Sequence, residues 1–131
     1  MSAEFADTNV VLNVLDEGPK ADRAETILGQ EPRISVQVLH ETLVNCRRKA
    51  GLSWEEAGAF LEGPRALCPV EELTLQTHDV GRVLEESYGF SIYDAMIVAS
   101  ALIAGCAPLW SEDMQDGLLV ENQLRIVNPF A

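Results

Sequence analysis

The chain carries little positive charge. Nine Lys and Arg stand against 21 Asp and Glu in 131 residues, a formal net charge of −12, which argues against the basic face that broad nonspecific nucleic-acid binding requires. Any phosphate-bearing substrate must therefore be held locally, by a metal ion and a few cations. Lys20 and Lys49 are the only lysines, and Arg47-Arg48-Lys49 is the only basic cluster. That cluster reads either as a solvated helix end favoured by the helix dipole or as a contact for phosphate or a partner.

Cysteine is scarce too. Cys46, Cys68 and Cys106 are odd in number, widely spaced and without a CxxC pair, so neither a disulfide framework nor a zinc site is expected and a reducing compartment is. All three read as small apolar fillers. The two histidines, His40 and His78, lack the spacing of paired metal ligands. No apolar run is long enough to span a bilayer; the longest, Ala95 to Trp110, is interrupted by Gly105 and Pro108. Met1-Ser2-Ala3-Glu4 has neither the basic region nor the apolar core of a signal peptide. A soluble, cytoplasmic protein is expected. With 47% apolar residues, no repeat and no linker, residues 1–131 form one domain, long enough to bury roughly two-thirds of the unfolded surface.

What the chain does have is alternation. A strand around Glu4 to Ala6 leads into a helix carrying Val10, Val11, Val14 and Leu15, which Gly18-Pro19 ends. A helix from Ala21 to Leu28 follows, then a β-branched strand from Arg33 to Val36 and a helix from Gln37 to Lys49. Ser53 caps a helix from Trp54 to about Leu61. Cys68 to Leu73 is strand-like, and Thr77 caps a helix reaching Tyr88, closed by Gly89. Ser91 opens the most apolar helix, to about Ala104. Leu109-Trp110 runs into an acidic turn at Ser111, and Leu124 to Val127 makes a last strand. Strands separated by helices imply βαβ units, hence an α/β fold with a largely parallel sheet covered by helices.

Acids recur at the ends of these elements. Asp7 follows the first strand, Asp94 lies in the first turn of the most apolar helix, and Glu112, Asp113 and Asp116 crowd the turn after Trp110. In a parallel α/β fold, side chains beyond the carboxyl ends of strands converge on one cleft. Carboxylates gathered there raise one another's pKa unless a cation joins them, and oxygen-only ligation selects hard ions such as Mg²⁺ or Mn²⁺. Each acid also has a plainer role. Asp7 could cap a helix, Asp94 could complete a capping box with Ser91, and Asp113 and Asp116 suit a Gly-terminated turn. Glu112 is the weaker ligand candidate. Glu41 shares a polar stripe with Gln37, Asn45 and Arg48, opposite the apolar Leu39, Thr42, Leu43 and Cys46, so periodicity makes it solvated without deciding whether it faces a cleft.

Asp7-Thr8-Asn9, the segment Ser35 to Glu41, the segment Tyr93 to Ala101 and the segment Ser111 to Gly117 together resemble the PIN domain, with VapC-type toxins of toxin–antitoxin pairs as the nearest likeness. The resemblance implies a three-layer PIN-like fold, with about four to five short, largely parallel strands flanked by helices. It makes Asp7, Glu41, Asp94 and Asp113 an acidic quartet, Asp116 a possible fifth member, and Thr8, Asn9 and Ser111 supporting polar groups. It implies an endoribonuclease using Mg²⁺ or Mn²⁺, with Asp7, Asp94 and Asp113 as metal ligands, a homodimer, and an antitoxin partner presenting a basic segment. No lysine or cysteine lies in these motifs to act as nucleophile or base, so a metal-activated water is the expected attacking group.

Two rivals are open at this point. A phosphatase or phosphotransfer receiver would use an Asp after the first strand as nucleophile or Mg²⁺ ligand, yet an acid is missing where Asn9 stands and no lysine follows a late strand. A non-catalytic module could instead hold a basic partner segment in its acidic cleft.

Overall fold

A computed structural model describes residues 3–131. Met1 and Ser2, part of the N-terminal stretch read above as lacking a signal peptide, lie outside the described residues. In chain order the elements are β1 (Ala3–Ala6), α1 (Thr8–Asn13), α2 (Pro19–Leu28), β2 (Ile34–Ser35), α3 (Val36–Arg48), α4 (Trp54–Leu67), β3 (Val70–Glu71), α5 (Leu75–Tyr88), α6 (Ile92–Ile103), β4 (Cys106–Trp110), β5 (Leu119–Val120) and β6 (Leu124–Val127). The four-stranded sheet has the order β1-β4-β6-β5. Its first three strands run parallel and β5 runs antiparallel to β6. The short parallel pair β2-β3 adjoins β1 through a bridge between Phe5 and Arg33. There the Ala6 N–H donates to the Arg33 carbonyl at 3.0 Å and the Arg33 N–H to that of Glu4 at 2.8 Å.

Burial explains why these segments take these forms. Phe5, Ile34, Leu109, Leu124 and Ile126, one or two per strand, are fully buried. Helix α6 is apolar nearly all round, with Ala95, Ile97, Val98, Ala99 and Ala101 buried, as a helix enclosed by its neighbours must be; it packs on α5, β4 and β2. A Cβ on Gly81 of α5 would come 2.9 Å from Met96 Sδ of α6, so glycine there lets the two helices approach closely. The three cysteines are free and buried, and burial pushes the Cys68 and Cys106 thiols up to about 11, consistent with inert fillers.

The PIN-like α/β fold expected from the sequence is present, and the differences are local. Helix α1 stops at Asn13, with Val14 only its cap. Helix α2 begins two residues early, at Pro19, a residue suited to a first helical turn. Helix α4 passes through Pro64 to Leu67 rather than stopping near Leu61; buried Pro64 is packed, not turned outward. The cap of α5 is Thr74, and Thr77 is the reciprocal partner three residues in, each side chain accepting from the other's N–H. Strand β5 has no counterpart in the sequence reading.

Candidate active site

Two parallel neighbours end side by side and present their next residues to the same space. Ala6 of β1 pairs with Trp110 of β4, the Asp7 N–H donates to the Trp110 carbonyl at 3.0 Å, and the Ser111 N–H continues the ladder onto Val127. Asp7 and Ser111 are therefore the first residues past the carboxyl ends of adjacent strands, where α/β folds bind ligands. Helix α1 starts immediately after Asp7, whose Oδ1 accepts from the Thr8 N–H at 2.7 Å. The capping role and the site role coincide in one side chain.

Around Asp7 the side chains form a connected network. Asp7 Oδ2 accepts from Ser111 Oγ at 2.7 Å and from Asn9 Nδ2 at 3.1 Å. The same Asn9 amide donates to Asp113 Oδ2 at 3.2 Å, so Asn9 bridges two of the acids. Its Oδ1 accepts from the Glu112 N–H at 3.0 Å, fixing the turn after β4 against α1. Buried Asn13 in turn donates to the Asn9 carbonyl at 2.8 Å. Glu41, half-buried on α3, accepts from Thr8 Oγ1 at 3.1 Å and from Gln37 Nε2 at 2.7 Å, one donor on each oxygen. Ser91 Oγ accepts from the Asp94 N–H at 3.2 Å, forming half of a capping box, while the Asp94 side chain lines the cleft.

That cleft is a cavity of about 450 Å³ whose wall includes Asp7, Glu41, Asp94, Asp113 and Glu112 together with Asn9, Asn45 and Lys49. Its electrostatics follow from burial. Asp7 is 3% exposed, and its carboxyl is pushed up to about 7 by desolvation. The hydrogen bonds from Ser111 and Thr8 oppose that rise, and the neighbouring Asp94 and Glu41 carboxylates add to it. Asp94 is also raised, first by desolvation and then by Glu41 and Asp113. No cation is among the groups that act on either acid, although Lys49 is on the same wall.

Asp7, Glu41, Asp94 and Asp113 are thus brought to one cavity, with Thr8 and Asn9 on the same wall and Ser111, fully buried off the wall, hydrogen-bonded to Asp7. Asp116 is not. It is exposed and absent from the cavity wall, and its Oδ1 accepts from the Asn128 N–H at 2.8 Å, tying the turn to the chain's last residues. Glu112, the weaker ligand candidate, is on the wall but pairs with Lys20. The polar stripe of α3 is the cleft wall itself, since Gln37 holds Glu41 and Asn45 lines the cavity. Sequence reasoning missed Gln37 as a partner of Glu41, although its position four residues earlier on the same helix face was the available signal. It also missed Asn13, for which no signal stood out.

The donors at this site are carboxylate, amide and hydroxyl oxygens, a set suited to a hard divalent cation. Among the described residues no three His, Cys, Asp or Glu side chains are grouped as a ready-made metal site, and the Asn9 amide lies between Asp7 and Asp113. The set fits such an ion in kind and charge, with Asn9 using lone pairs that a cation between those two acids would take.

The fold has several solved counterparts. A toxin–antitoxin complex from Klebsiella pneumoniae superposes with a TM-score of 0.74 at 17% identity, covering 98% of each chain. VapC20 of Mycobacterium tuberculosis, a sarcin-ricin loop cleaving toxin, gives 0.70 at 20% identity over 85% of this chain and 90% of its own. DNA-bound VapBC from Salmonella typhimurium gives 0.66 at 21% identity over 96% and 97%. A comparison with curated proteins finds no match. Residues 5–115 match the PIN domain, and with the acids of that match gathered beyond β1 and β4, the chain belongs to the PIN domain family.

Proposed function

We propose that this protein is a VapC-type endoribonuclease that hydrolyses RNA phosphodiester bonds with Mg²⁺ or Mn²⁺ held by Asp7, Asp94 and Asp113. The observation that carries the reading is the buried Asp7 carboxyl, raised to about 7 beside two further carboxylates, in a cleft whose wall bears six acids and a single cation, Lys49. A divalent cation there supplies the missing positive charge and lowers the pKa of a bound water to that of a usable nucleophile.

The chain's own residues do the positioning. Ser111 and the Thr8 N–H each hold one oxygen of Asp7, fixing the plane of its carboxylate. Asn9 keeps Asp113 in register with Asp7. Thr8 and Gln37 aim Glu41 into the cleft, with lone pairs left on both oxygens to accept a proton or orient a water. The toxin–antitoxin neighbours support a cognate antitoxin as partner; the basic segment expected of it suits this acidic cleft, and a homodimeric toxin is part of the same proposal. A cytoplasmic setting belongs to the same reading; among the described residues no helix is long and apolar enough to cross a membrane.

The test is cleavage of a randomised RNA pool with Mg²⁺, with Mn²⁺ and with EDTA, by wild type and by Asp7→Asn and Asp94→Asn. Metal-dependent cleavage lost in both variants is the expected result. Cleavage at the wild-type rate in both would reduce these acids to helix caps. No cleavage under any condition, with an arginine-rich peptide still binding in the cleft, would turn the protein into an interaction module.

A further inference from the structure

Four arginines are committed to the fold. Arg23 Nε donates to the Pro129 carbonyl and its guanidinium lies 5.6 Å from the Trp110 ring centre. Arg33 pairs with Glu71 at 2.7 Å, Arg47 donates to the Leu52 carbonyl and stacks 4.2 Å from the Trp54 ring centre, and Arg125 donates to the Gly117 carbonyl at 2.8 Å. The chain's two lysines are placed differently: Lys49 stands on the wall of the acidic cleft, and Lys20, off the wall, pairs with the wall residue Glu112 and lies 5.6 Å from the Phe130 ring centre. Lys49, exposed at the end of α3, lines the cavity on the same side as Glu41 and Asn45. It enters neither of the ion pairs found among the described residues. Lys20, near the start of α2, is held by Glu112 of the turn after β4, on the other side of α1, and its ammonium also feels Asp16 and Asp113. Glu112, Asp16 and Asp113 are all wall residues of the same cavity.

A protein of net charge −12 holds a polyanion only at its cations; of these Arg48, Arg65 and Arg82 are exposed but off the cavity wall, whereas Lys49 is on it and Lys20 is tied to it through Glu112. We propose that Lys49 and Lys20 are the backbone contacts of one RNA strand crossing the cleft. Lys49 takes a phosphate on the α3 side of the acids, and Lys20 exchanges Glu112 for a phosphate on the side of the turn. The proposal is for a single strand, because two cations, one at the end of α3 and one tied to the turn after β4, are enough to hold one backbone and too few to track the two of a duplex. The inference rests on the ribonuclease reading and names how that site grips its substrate.

The experiment measures kcat, KM and salt dependence of cleavage of a randomised single-stranded RNA pool in Mn²⁺ for wild type, Lys49→Gln, Lys20→Gln, Lys49→Arg and Glu112→Gln. Arg65→Gln, an equal loss of charge on α4 outside the cavity wall, is the control. Each Lys→Gln change is expected to raise KM by about five- to tenfold with kcat little changed, and to make the slope of log(kcat/KM) against log[salt] shallower by about 0.7, the loss of one single-strand phosphate contact. Lys49→Arg should recover most of the KM. Glu112→Gln should lower KM by releasing Lys20. If both Lys→Gln variants match Arg65→Gln in KM and salt slope while wild type cleaves, the lysine assignment falls and the ribonuclease reading stands. If wild type cleaves no RNA, both fall together.

Discussion

Replacing Asp7 by Asn should stabilise the metal-free protein at pH 8 and abolish its activity. The folded-state value of about 7, against an ordinary 3.8, makes ionising Asp7 in place cost about 4 kcal/mol, at about 1.4 kcal/mol per tenfold change in proton affinity. The sign follows from proton counting. Between those two values the folded chain holds a proton that the unfolded chain has released, so the Asp7 contribution to stability is full below about pH 4, declines as pH rises towards 7 and is gone above it. The amide introduced by Asp7→Asn cannot ionise, and Asn caps a helix as well as Asp does. With its oxygen capping the Thr8 N–H, however, the amide presents Nδ2 where Oδ2 accepts from Ser111 Oγ and Asn9 Nδ2, and both bonds are lost, about 2 kcal/mol. The net gain at pH 8 without metal is then about 2 kcal/mol, a rise in Tm of about 7 °C for a domain of this size. Thermal unfolding of both proteins in EDTA from pH 4 to 8 checks it. At pH 4, where only the lost hydrogen bonds count, the variant should melt below wild type, and the order should reverse as pH rises. A gap that stays flat across that range, or an Asp7→Asn variant melting below wild type at pH 8, would refute the claim that Asp7 is an uncompensated buried acid.

The metal should show the converse linkage. Mg²⁺ or Mn²⁺ at a hundredfold excess over Kd should stabilise wild type by about 2.7 kcal/mol, read as a concentration-dependent Tm that Asp113→Ala flattens. Glu41→Gln should preserve stability but reduce cleavage by at least about tenfold, roughly 1.4 kcal/mol of transition-state stabilisation; Arg48→Ala, exposed on the same helix, is the control, and equal rates in the two would remove Glu41 from the site. Asp116→Ala should leave cleavage and metal titration unchanged while costing up to about 1 kcal/mol, because the exposed Asn128 N–H it holds at 2.8 Å loses its acceptor; a tenfold loss of cleavage would restore Asp116 to the site.

Elements with a strong local signal were legible in the sequence, and those decided by tertiary packing were not. Ser53 and Ser91 are the caps of α4 and α6 as read, and the apolar content of α6 announced its burial; Ser35, read as part of a strand, also caps α3. Strand β5 is invisible because it is only two residues long and rests on a turn with Glu121 and Asn122 both at positive φ. Two-residue hairpin turns of that kind favour Asn or Gly at such positions, and Glu gives no such signal. The end of α4 at Leu67, past the expected Leu61, also depends on packing. Proline is a strong local stop signal, but a buried proline within a packed helix is retained when the packing outweighs the lost hydrogen bond.

The acidic residues divide along the same line, and they show what a family pattern adds to local reading. Asp7 and Asp94 sit at helix starts, where a cap and a ligand require the same residue type, so the local reading had to leave both roles open; the fold makes Asp7 the cap of α1 and also puts it on the cavity wall, since the strand ends at Ala6 and the helix begins at Thr8. Glu41 was undecidable because a helix face that borders a cleft and one that borders bulk water carry the same polar residues. What separates them is Thr8, which reaches Glu41 from a different element 33 positions away, and no periodicity within α3 contains that contact. Asp116 is the reverse case. It follows Asp113 by one turn of chain and shares its composition, but the backbone of the turn sends Asp113 to Asn9 and Asp116 to Asn128. Nearness in sequence grouped the two aspartates, and the path of the chain separated them.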